Sequence, residues 1–394
     1  SGVYCWKYIP ILFVFCVLEG DSMKKYQNLV RRTITLCMPV ILILGLVINL
    51  VFPDRELSFV ENRSLQRFPE MDRTSILDGS FETKLSSWFA DQFVGRNGFI
   101  HLRYGMLKLL GQKKIDDIYL CKNQLIEDAK FPNQKQMARN LSAINKFSKS
   151  HSDLDTTFLL VPNAVSIQED HLPYLSDEND QNKIMDSIYK KLESSVSIVD
   201  VRKDLKKHSD EYIYYKSDHH WTSLGAFYAY QKLNDAVSLN DYEQMVVSKN
   251  FKGTLANGTG SFGIKDTISI FVNKKLNDYY VQEADNKKKG SIYDSSFIDS
   301  KDQYSVFLGG NKSIQRIELE NNSKKHLLIF KDSYANSFVQ FLMNDYRTIT
   351  IVDPRYYNEN IEKVIQEDFI TDVMYLYNTN TFVEDTSLAD VLGE

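Results

Sequence analysis

The sequence predicts an α/β protein in which helices flank a mostly parallel sheet, with a transmembrane helix ahead of it. Three observations support this prediction. An uncharged apolar run occupies residues 34–52, and after residue 133 apolar runs of strand length alternate with segments of helical periodicity. Such alternation is typical of parallel strands joined by helical crossovers. A glycine-rich stretch at about residues 240–320 lacks a helical period, which predicts an irregular insertion with a few strands.

The uncharged run is 19 residues long, just enough for a helix to cross a bilayer core of ~30 Å. It lacks the polar face that a buried core helix of this length would show. Basic residues at positions 24, 25, 31 and 32 precede the run. This charge pattern predicts that residues 1–33 are cytoplasmic and that the remainder is exported. No small-residue cleavage motif follows, which favours an uncleaved signal anchor over a removed signal peptide.

Residues 1–22 contain a second apolar stretch, which is too short to span a bilayer comfortably. Met23-Lys24-Lys25 is typical of a true start followed by a signal anchor. We therefore interpret residues 1–22 as an upstream extension of a misassigned start, with an extra hydrophobic segment as the alternative. Beyond the anchor, residues 53–75 are predicted to be an extended tether and residues 76–394 the extracytoplasmic domain.

Composition narrows the class of protein further. The chain has 394 residues, of which 43% are hydrophobic and 12% aromatic, so a sizeable core is possible. Its net charge of −5 argues against binding to nucleic acid. Three cysteines lie in or before the anchor, which leaves Cys121 alone in the exported part. A lone cysteine cannot form an internal disulfide, and no Cys-x-x-Cys pair is present to hold zinc.

The elements are predicted from periodicity, from apolar runs and from capping residues. One or two helices are expected over residues 76–110. Further helices are predicted at residues 134–148, 180–192, 221–233, 335–343 and 360–368. Strands are predicted at residues 157–161, 196–199, 212–215, 327–330, 348–352 and 373–377.

Two unusual sites follow predicted strands. Asp218-His219-His220-Trp221 comes shortly after residues 212–215, and Ser333 comes directly after residues 327–330 at a turn into a helix. Functional groups of α/β sheets gather at the carboxyl ends of the strands, so both sites are expected at that edge. Residues two apart on an extended segment face the same side. We therefore predict Ser333 as nucleophile, His220 as general base and Asp218 as the group that orients it.

Each of these residues also has a less specific interpretation. Ser333 is well placed to cap a helix, a role compatible with that of nucleophile, and His220 could be a packed histidine satisfied by backbone. Asp218, His219 and His220 could instead ligate zinc or manganese. Metal-dependent chemistry of that kind needs further carboxylate clusters upstream, which the sequence lacks. We therefore predict no metal and no other cofactor.

Several further motifs accompany the two sites in a fixed order. They are Glu61-Asn62-Arg63 with Phe68-Pro69, Trp88 with Asp91, Phe93 and Arg96, Val161-Pro162, Phe251-Lys252-Gly253-Thr254, Gly309-Gly310-Asn311, the segment Lys331 to Asn336, and Asp353-Pro354-Arg355-Tyr356. With the Asp-His-His-Trp block, this series resembles the DHHW family, Gram-positive relatives of the alginate O-acetylation proteins. The resemblance extends from about residue 58 to the C-terminus. One departure is Lys331-Asp332-Ser333, where many hydrolases of this type have Gly-Asp-Ser.

The resemblance implies an SGNH-hydrolase-like catalytic domain in a membrane-anchored, extracytoplasmic O-acetyltransferase. It implies that Ser333 carries the acetyl group to hydroxyls of a secreted or cell-surface polysaccharide, and that a polytopic membrane-bound O-acyltransferase supplies it. The residues alone indicate only serine acyl chemistry outside the membrane. An esterase that uses water as acceptor, and a non-catalytic glycan-binding scaffold, are the alternatives.

Candidate groups around the reacting acyl group are less specific. The backbone N–H of Ser333 and the side chain of Asn336 are expected to hold the oxyanion, with Tyr334, Asn378 and Asn380 as further candidates. Arg355 and Tyr356 follow a neighbouring strand and are expected to contact a sugar hydroxyl or carboxylate. Each of these side chains is equally well explained as a turn residue.

Overall fold

The computed structural model describes residues 21–58, 63–174, 180–283 and 288–393. The interpretations of residues 1–20, and the motif residues Glu61 and Asn62, lie outside this part of the chain. Two compact units divide the chain, one comprising residues 1–58 and 63–96, the other residues 59–62 and 97–394. The units change after Arg96, whereas the sequence analysis starts the exported domain at residue 76; that boundary stays a prediction.

The first unit contains a long apolar helix, α1 (Asp21–Val51). Within it, Lys25–Val51 is the one stretch of the described residues that is long and apolar enough to cross a membrane. By length and composition it could be an anchor or a signal sequence. The unit is completed by the antiparallel strands β1 (Leu57–Ser58) and β2 (Arg63–Ser64) and by helices α2 (Arg73–Leu77) and α3 (Ser80–Gln92).

The predicted tether is bonded to α3 rather than free. Asp54 Oδ1 accepts a 2.8 Å hydrogen bond from Trp88 Nε1, and Asp91 Oδ2 accepts one of 2.8 Å from the backbone of Gln66. Two positions predicted to be part of an extended linker thus have partners on a helix of the same unit.

The second unit contains most of the elements, beginning with a helix that starts at the boundary residue Arg96 and continues into the second unit. The helices are α4 (Arg96–Leu109), α5 (Gln134–Ser150), α6 (Ala164–Ile167), α7 (Gln181–Tyr189), α8 (Arg202–Lys207), α9 (Ser223–Leu233), α10 (Thr254–Thr259), α11 (Val339–Leu342), α12 (Ile361–Glu367), α13 (Thr379–Glu384) and α14 (Leu388–Val391). The strands are β3 (Lys114–Ile115), β4 (Ile118–Leu120), β5 (Leu125–Glu127), β6 (Asp155–Val161), β7 (Ser197–Ile198), β8 (Tyr242–Phe251), β9 (Asp266–Asn273), β10 (Tyr279–Glu283), β11 (Lys288–Lys289), β12 (Ile314–Leu319), β13 (His326–Lys331), β14 (Thr348–Val352) and β15 (Asp372–Asn378).

The central sheet has eight strands in the order β11-β10-β12-β14-β13-β15-β6-β7. The pairings from β14 to β7 are parallel, and those from β11 to β14 are antiparallel. The predicted α/β class is therefore confirmed, but the sheet is mixed and not clearly mostly parallel: among the described strands, four of its seven pairings are parallel. The reason lies in residues 240–320. This predicted insertion supplies β10, β11 and β12 to one edge, besides an antiparallel β8–β9 hairpin.

Helices cover both faces of this sheet, and alternate residues of each central strand point to opposite sides. On β13, Leu327 and Ile329 pack into the cluster that contains α9, whereas Leu328 and Phe330 pack into the cluster that contains α5. The central strands are buried on both faces, which explains why they appear in the sequence as continuous apolar runs.

Two predicted elements differ in detail. Residues 212–215 form no strand, and only an isolated bridge joins Tyr214 to Trp221. The predicted helix at residues 335–343 is a 3₁₀ turn over Ser333–Ser337 followed by the short α11. Both segments are buried, and this burial accounts for the apolar pattern that predicted longer elements.

Candidate active site

Ser333 lies at the carboxyl end of β13, in the central part of the sheet. Its turn is held by Asp332, whose side chain accepts 2.8 Å hydrogen bonds from the backbone of Tyr334 and from the backbone of Asn378 at the end of β15. Burial raises the pKa of Asp332 to about 6, against the lowering effect of these two N–H donors. Asp332 therefore links the serine turn to the neighbouring strand end.

The Asp-His-His-Trp block lies on a tight loop that is shaped by another buried carboxylate, Asp266. Asp266 accepts hydrogen bonds from the backbone of Lys216 (2.8 Å), from the backbone of Ser217 (2.7 Å) and from the Ser217 hydroxyl (2.5 Å). The Ser217 hydroxyl in turn accepts a 2.9 Å bond from the backbone of Gly253. These bonds fix the chain immediately before Asp218 and bring the start of α10 against it.

The three residues predicted as a group lie in one hydrogen-bonded series. Asp218 Oδ1 is 2.5 Å from His220 Nδ1, and His220 Nε2 is 2.7 Å from Ser333 Oγ. An ionised carboxylate only accepts hydrogen bonds, so Nδ1 carries the proton and Nε2 presents its lone pair to the serine hydroxyl. This is the arrangement in which a histidine can remove a proton from serine.

The second oxygen of Asp218 is held by the start of α10. Its Oδ2 accepts bonds from the Thr254 backbone (2.8 Å) and from the Thr254 hydroxyl (3.0 Å). Gly253 lies so close that a Cβ atom there would be 2.2 Å from Asp218 Cβ. Both residues belong to the motif at residues 251–254 of the family resemblance, for which no role was predicted. Their contact with Asp218 joins positions about 35 residues apart, so the local pattern contains no signal for it.

The pKa shifts of Asp218 and His220 favour an ionised Asp218 and a neutral His220. Burial opposes ionisation of Asp218, but the positive charges of His220 and His219 and the bonds to its oxygens hold its pKa below the ordinary value. Burial lowers the pKa of His220, helped by the charge on His219 and opposed by the carboxylate of Asp218. At neutral pH, His220 is therefore a free base beside an anionic Asp218.

A buried tyrosine, which the sequence analysis did not single out, completes the surroundings of His220. The ring of Tyr304 stacks on the imidazole with centroids 3.9 Å apart and planes inclined by 15°. Its hydroxyl donates to the backbone oxygen of Ser333 at 3.0 Å. Tyr304 therefore contacts both the base and the nucleophile. It lies in the glycine-rich region, where no periodicity distinguishes it from other aromatic residues.

The tautomer of His219 follows from the hydrogen bonds around it. The Thr254 hydroxyl has one proton, which it donates to Asp218, so it accepts the 2.8 Å bond from His219 Nδ1. His219 Nδ1 is therefore protonated and donates to Thr254.

The hydrogen bonds of Asp218, His219 and His220 also bear on the alternative of a metal site. Ligand atoms of Asp218, His219 and His220 lie within 4.8 Å of one another, and they form the one such group among the described residues. However, both oxygens of Asp218 and both ring nitrogens of His220 already have protein partners. A metal ion on His220 would have to displace its bond to Asp218 or its bond to Ser333. The bonds present are those of a base between an acid and a serine, and they favour that role over a metal site.

The predicted oxyanion side chains are engaged in the interior of the protein. Asn336 Oδ1 accepts from Lys331 Nζ at 2.9 Å, and the Tyr334 hydroxyl donates to the backbone oxygen of His219. Asn378 Nδ2 donates to Asp332 at 2.5 Å, and Asn380 Nδ2 donates to the backbone of Asp128 at 2.9 Å. The structure thus gives these four side chains a role in holding the site together.

Arg355 and Tyr356 are accessible from solvent. Tyr356 is 57% exposed, and the Arg355 side chain is 34% exposed. The guanidinium is oriented by Asp353, with Nε at 2.8 Å from Oδ1 and Nη2 at 2.6 Å from Oδ2. Its positive charge also lowers the pKa of His220, so it lies within electrostatic reach of the base.

Another group missed by the sequence analysis lies beside the serine turn. The buried Lys331 donates to Asn311 Oδ1 at 2.7 Å, to Asn336 Oδ1 at 2.9 Å, and forms an ion pair with Asp353 at 3.3 Å. Burial lowers its pKa to about 8, against the raising effect of Asp353. Asn311 Oδ1 also accepts from Asn336 Nδ2 at 3.1 Å, so the exposed Asn311 has its oxygen fixed inward. The NH₂ group of the Asn311 side chain donates no hydrogen bond within the described part of the chain.

Fold and site together define the class of protein. It is an α/β protein that holds a serine, a histidine and an aspartate in hydrogen-bond contact at the carboxyl edge of its sheet. The chain belongs to the DHHW family: the model of the DHHW protein family matches residues 61–150 and 138–352. No curated protein matches the sequence.

Solved structures are similar to most of this chain. A DHHW family protein from Eubacterium siraeum is 26% identical, with a TM-score of 0.60, over 70% of this chain and 97% of that one. PatB1 from Bacillus cereus is 20% identical, with a TM-score of 0.57, over 69% of this chain and 99% of that one. PatB1 with a sulfonyl adduct gives 19% identity and a TM-score of 0.58 over 68% and 96% of the two chains. These similarities concern the fold.

Proposed function

We propose that this protein is a membrane-anchored, extracytoplasmic O-acetyltransferase that transfers acetyl groups to hydroxyls of a secreted or cell-surface polysaccharide. The observation that carries the proposal is the series of short contacts from Asp218 through His220 to Ser333. Membership of the DHHW family supports the same chemistry, because the family resembles the alginate O-acetylation proteins. The charge pattern around α1 supports export of the residues that follow it.

In the first step, Ser333 Oγ attacks the carbonyl carbon of an acetyl donor, and its proton moves to His220 Nε2. The bond between the acetyl carbon and the leaving group then breaks, and His220 returns the proton to that group. Asp218 stabilises the imidazolium in between. The product is an acetyl ester on Ser333, and His220 is again neutral.

In the second step, a sugar hydroxyl gives its proton to His220 and attacks the acetyl carbon. The bond from that carbon to Ser333 Oγ breaks, and the serine oxygen takes the proton back. The acetyl group is now on the sugar, and the site has regained its starting protonation. Both tetrahedral intermediates need donors for their oxyanion. The backbone N–H of Ser333 and the outward amide of Asn311 are the groups that we propose.

The remaining parts of the proposal concern substrates and partners. Arg355 and Tyr356 are proposed to contact the acceptor polysaccharide, since both are exposed beside the site. A polytopic membrane-bound O-acyltransferase is proposed as the source of acetyl groups, as the family resemblance implies. The transmembrane anchor at residues 34–52 would keep the catalytic residues near such a partner.

The test uses the full chain in detergent with a chromogenic acetyl ester and candidate oligosaccharides. A transferase should place acetyl groups on one of the sugars, because an oriented acceptor competes with water at an effective concentration of ~10⁵ M or more. A digest of the quenched reaction should contain an acetylated Ser333 peptide. Acetate release with no acetylated sugar, across every glycan of the producing cell, would assign the protein as an esterase.

Inactivation offers an independent check of the nucleophile. Sulfonyl fluorides react with activated hydroxyls, and a sulfonyl adduct is known for the structurally similar PatB1. Methylsulfonyl fluoride should modify Ser333 and stop acetate release, while the neighbouring Ser337, a buried hydroxyl of the same turn, stays unmodified. Full acetate release by a chain modified at Ser333, or unmodified Ser333 in an inhibited chain, would refute the assignment.

A further inference from the structure

Helix α4 has an apolar face that the second unit leaves open to solvent. Leu102, Met106, Leu109 and Leu110 lie at positions i, i+4, i+7 and i+8, which places them on one side of a helix. Each is more than half exposed, and Leu109 and Leu110 reach 88% and 80%. Monomeric soluble proteins rarely expose apolar side chains in such a contiguous group. The face therefore needs an occupant.

The opposite face of α4 is firmly packed, so the exposure is not a result of a loosely placed helix. Tyr104 is buried on that side. His101 Nδ1 lies 2.6 Å from the backbone oxygen of Gly260, and a Cβ atom on Gly260 would lie 2.3 Å from Ile100 Cγ2. This close approach fixes which side of the helix faces outward.

The charges of the segment point to the kind of occupant. From residue 93 to residue 115 the sequence has five basic residues and no acidic residue. Lys114 is paired with Asp128 at 2.5 Å, and Lys108 lies over the ring of Tyr104 at 5.7 Å, towards the packed side of α4. Arg103 is exposed at the border of the apolar stripe. An exposed apolar stripe bordered by a basic side chain, in a segment without acidic residues, is the pattern of helices that lie in the headgroup region of anionic bilayers.

We propose that α4 lies on the surface of an anionic lipid bilayer, with Leu102, Met106, Leu109 and Leu110 inserted and Arg103 among the headgroups. Such helices bury their apolar face about 5–10 Å into the boundary between headgroups and acyl chains. The candidate span Lys25–Val51 of the same chain would hold α4 at a high effective concentration near the bilayer. A weak interfacial contact is then sufficient. The site residues would consequently be held close to the membrane.

The experiment uses the full chain in nanodiscs that contain a lipid with a diazirine in its acyl chain. Discs are made either with phosphatidylglycerol or with phosphatidylcholine, irradiated, and the labelled peptides are mapped by mass spectrometry. We expect label on residues 97–114 in the anionic discs, on the order of tenfold above the neutral discs. Label on residues 25–51 should be equal in both and serves as the internal reference.

Two controls make the result specific. Phe369 is 76% exposed but has Glu367 and Asp368 beside it, so its peptide should stay unlabelled. The double variant Arg103→Glu and Lys108→Glu changes exposed side chains that have no hydrogen bond or ion pair with Asp218, His220 or Ser333 in the described structure. It should reduce label on residues 97–114 in anionic discs to the neutral level and leave acetyl-ester turnover unchanged.

Three outcomes would overturn the proposal. The first is an unlabelled 97–114 peptide in anionic discs whose 25–51 peptide is labelled. The second is label on 97–114 no stronger than that on the Phe369 peptide. The third is chain-to-chain cross-linking of α4 without lipid label, which would assign the apolar face to a second copy of the chain. None of these results bears on Ser333 chemistry, which the acetyl-transfer assay measures separately.

Discussion

The phenol ring of Tyr304 lies flat against the imidazole of His220, and the Tyr304 hydroxyl donates to the backbone oxygen of Ser333. The same hydroxyl lies 3.2 Å from Ser337 Oγ, so one buried side chain joins the base to two residues of the serine turn. The stacked ring of Tyr304 restrains the tilt of the His220 imidazole, and the bond to Asp218 restrains its rotation in the ring plane.

We predict that Tyr304→Phe lowers kcat/KM for acetyl-ester cleavage about fivefold, because it removes the hydrogen bond of ~1 kcal/mol but keeps the stacked ring. Tyr304→Leu should lower it much further, since the imidazole is then free to tilt. The matched control is Tyr293→Phe, which removes another buried hydroxyl, bonded to Gln340 at 3.1 Å. This control should lower the melting temperature similarly and leave kcat/KM unchanged. Equal kinetic losses in both phenylalanine variants would indicate a role for Tyr304 in stability alone.

The approach of Gly253 to Asp218 leads to a second prediction. In Gly253→Ala, the added methyl group must displace Asp218, so kcat/KM should fall about 100-fold, the cost typical of a misplacement by about 1 Å. Gly258→Ala is the control in the same helix, because its nearest neighbour would be Ile118 Cδ1 at 4.0 Å. Circular dichroism should show both variants folded. A Gly253→Ala protein with unchanged kcat/KM would show that the acid tolerates displacement.

The two adjacent histidines should differ strongly in their effect. We predict that His220→Ala lowers kcat by at least about 10³-fold, as removal of a triad base does. His219→Ala should cost less than about tenfold, since this ring supports Thr254 and does not contact Ser333. Incubation with EDTA should leave turnover intact. Comparable losses in the two variants, together with inhibition by EDTA, would favour the metal site instead.

The lowered pKa of His220 predicts the pH dependence. Only neutral His220 accepts a proton, so kcat/KM should rise with pH, with its midpoint below the ordinary histidine value of about 6.5. The same shift affects stability. Because His220 is more basic in the unfolded chain, unfolding takes up a proton as pH falls below about 6.5, and the free energy of unfolding decreases there. A kinetic midpoint above 6.5 would contradict the burial argument.

Features that are encoded in local sequence patterns could be predicted. Asp218 and His220 were paired because they are two residues apart, and Ser333 was found because an apolar run ends directly before it. The DHHW family, predicted from the ordered motifs, is confirmed. The group at Asp218, His220 and Ser333 stays a prediction about function, supported by the contacts between the three side chains in the structure.

What the sequence missed depended on contacts between distant residues. Tyr304 meets the site only after the chain has folded, and nothing in its neighbourhood marks it. Thr254 and Asn311 belong to motifs of the family resemblance, but their contacts with the site cannot be inferred from the local sequence. The mixed sheet was missed for a related reason. Strand β10 has one fully buried residue, Val281, in a half-buried pattern, so a short edge strand resembles loop in the sequence. Conversely, residues 212–215 were predicted as a strand because they form a short apolar run. Residues 213–215 are buried, but only an isolated bridge joins Tyr214 to Trp221.

The contact of Gly253 and Thr254 with Asp218 also provides a way to compare DHHW sequences. The acid needs both residues, one for its lack of a side chain and the other for its two donors. A Gly-Thr pair about 35 positions after the Asp-x-His therefore offers a criterion for sorting DHHW sequences. Homologues that keep the serine and the histidine but lose this pair would be candidate pseudoenzymes, in which the acid is present but no longer oriented.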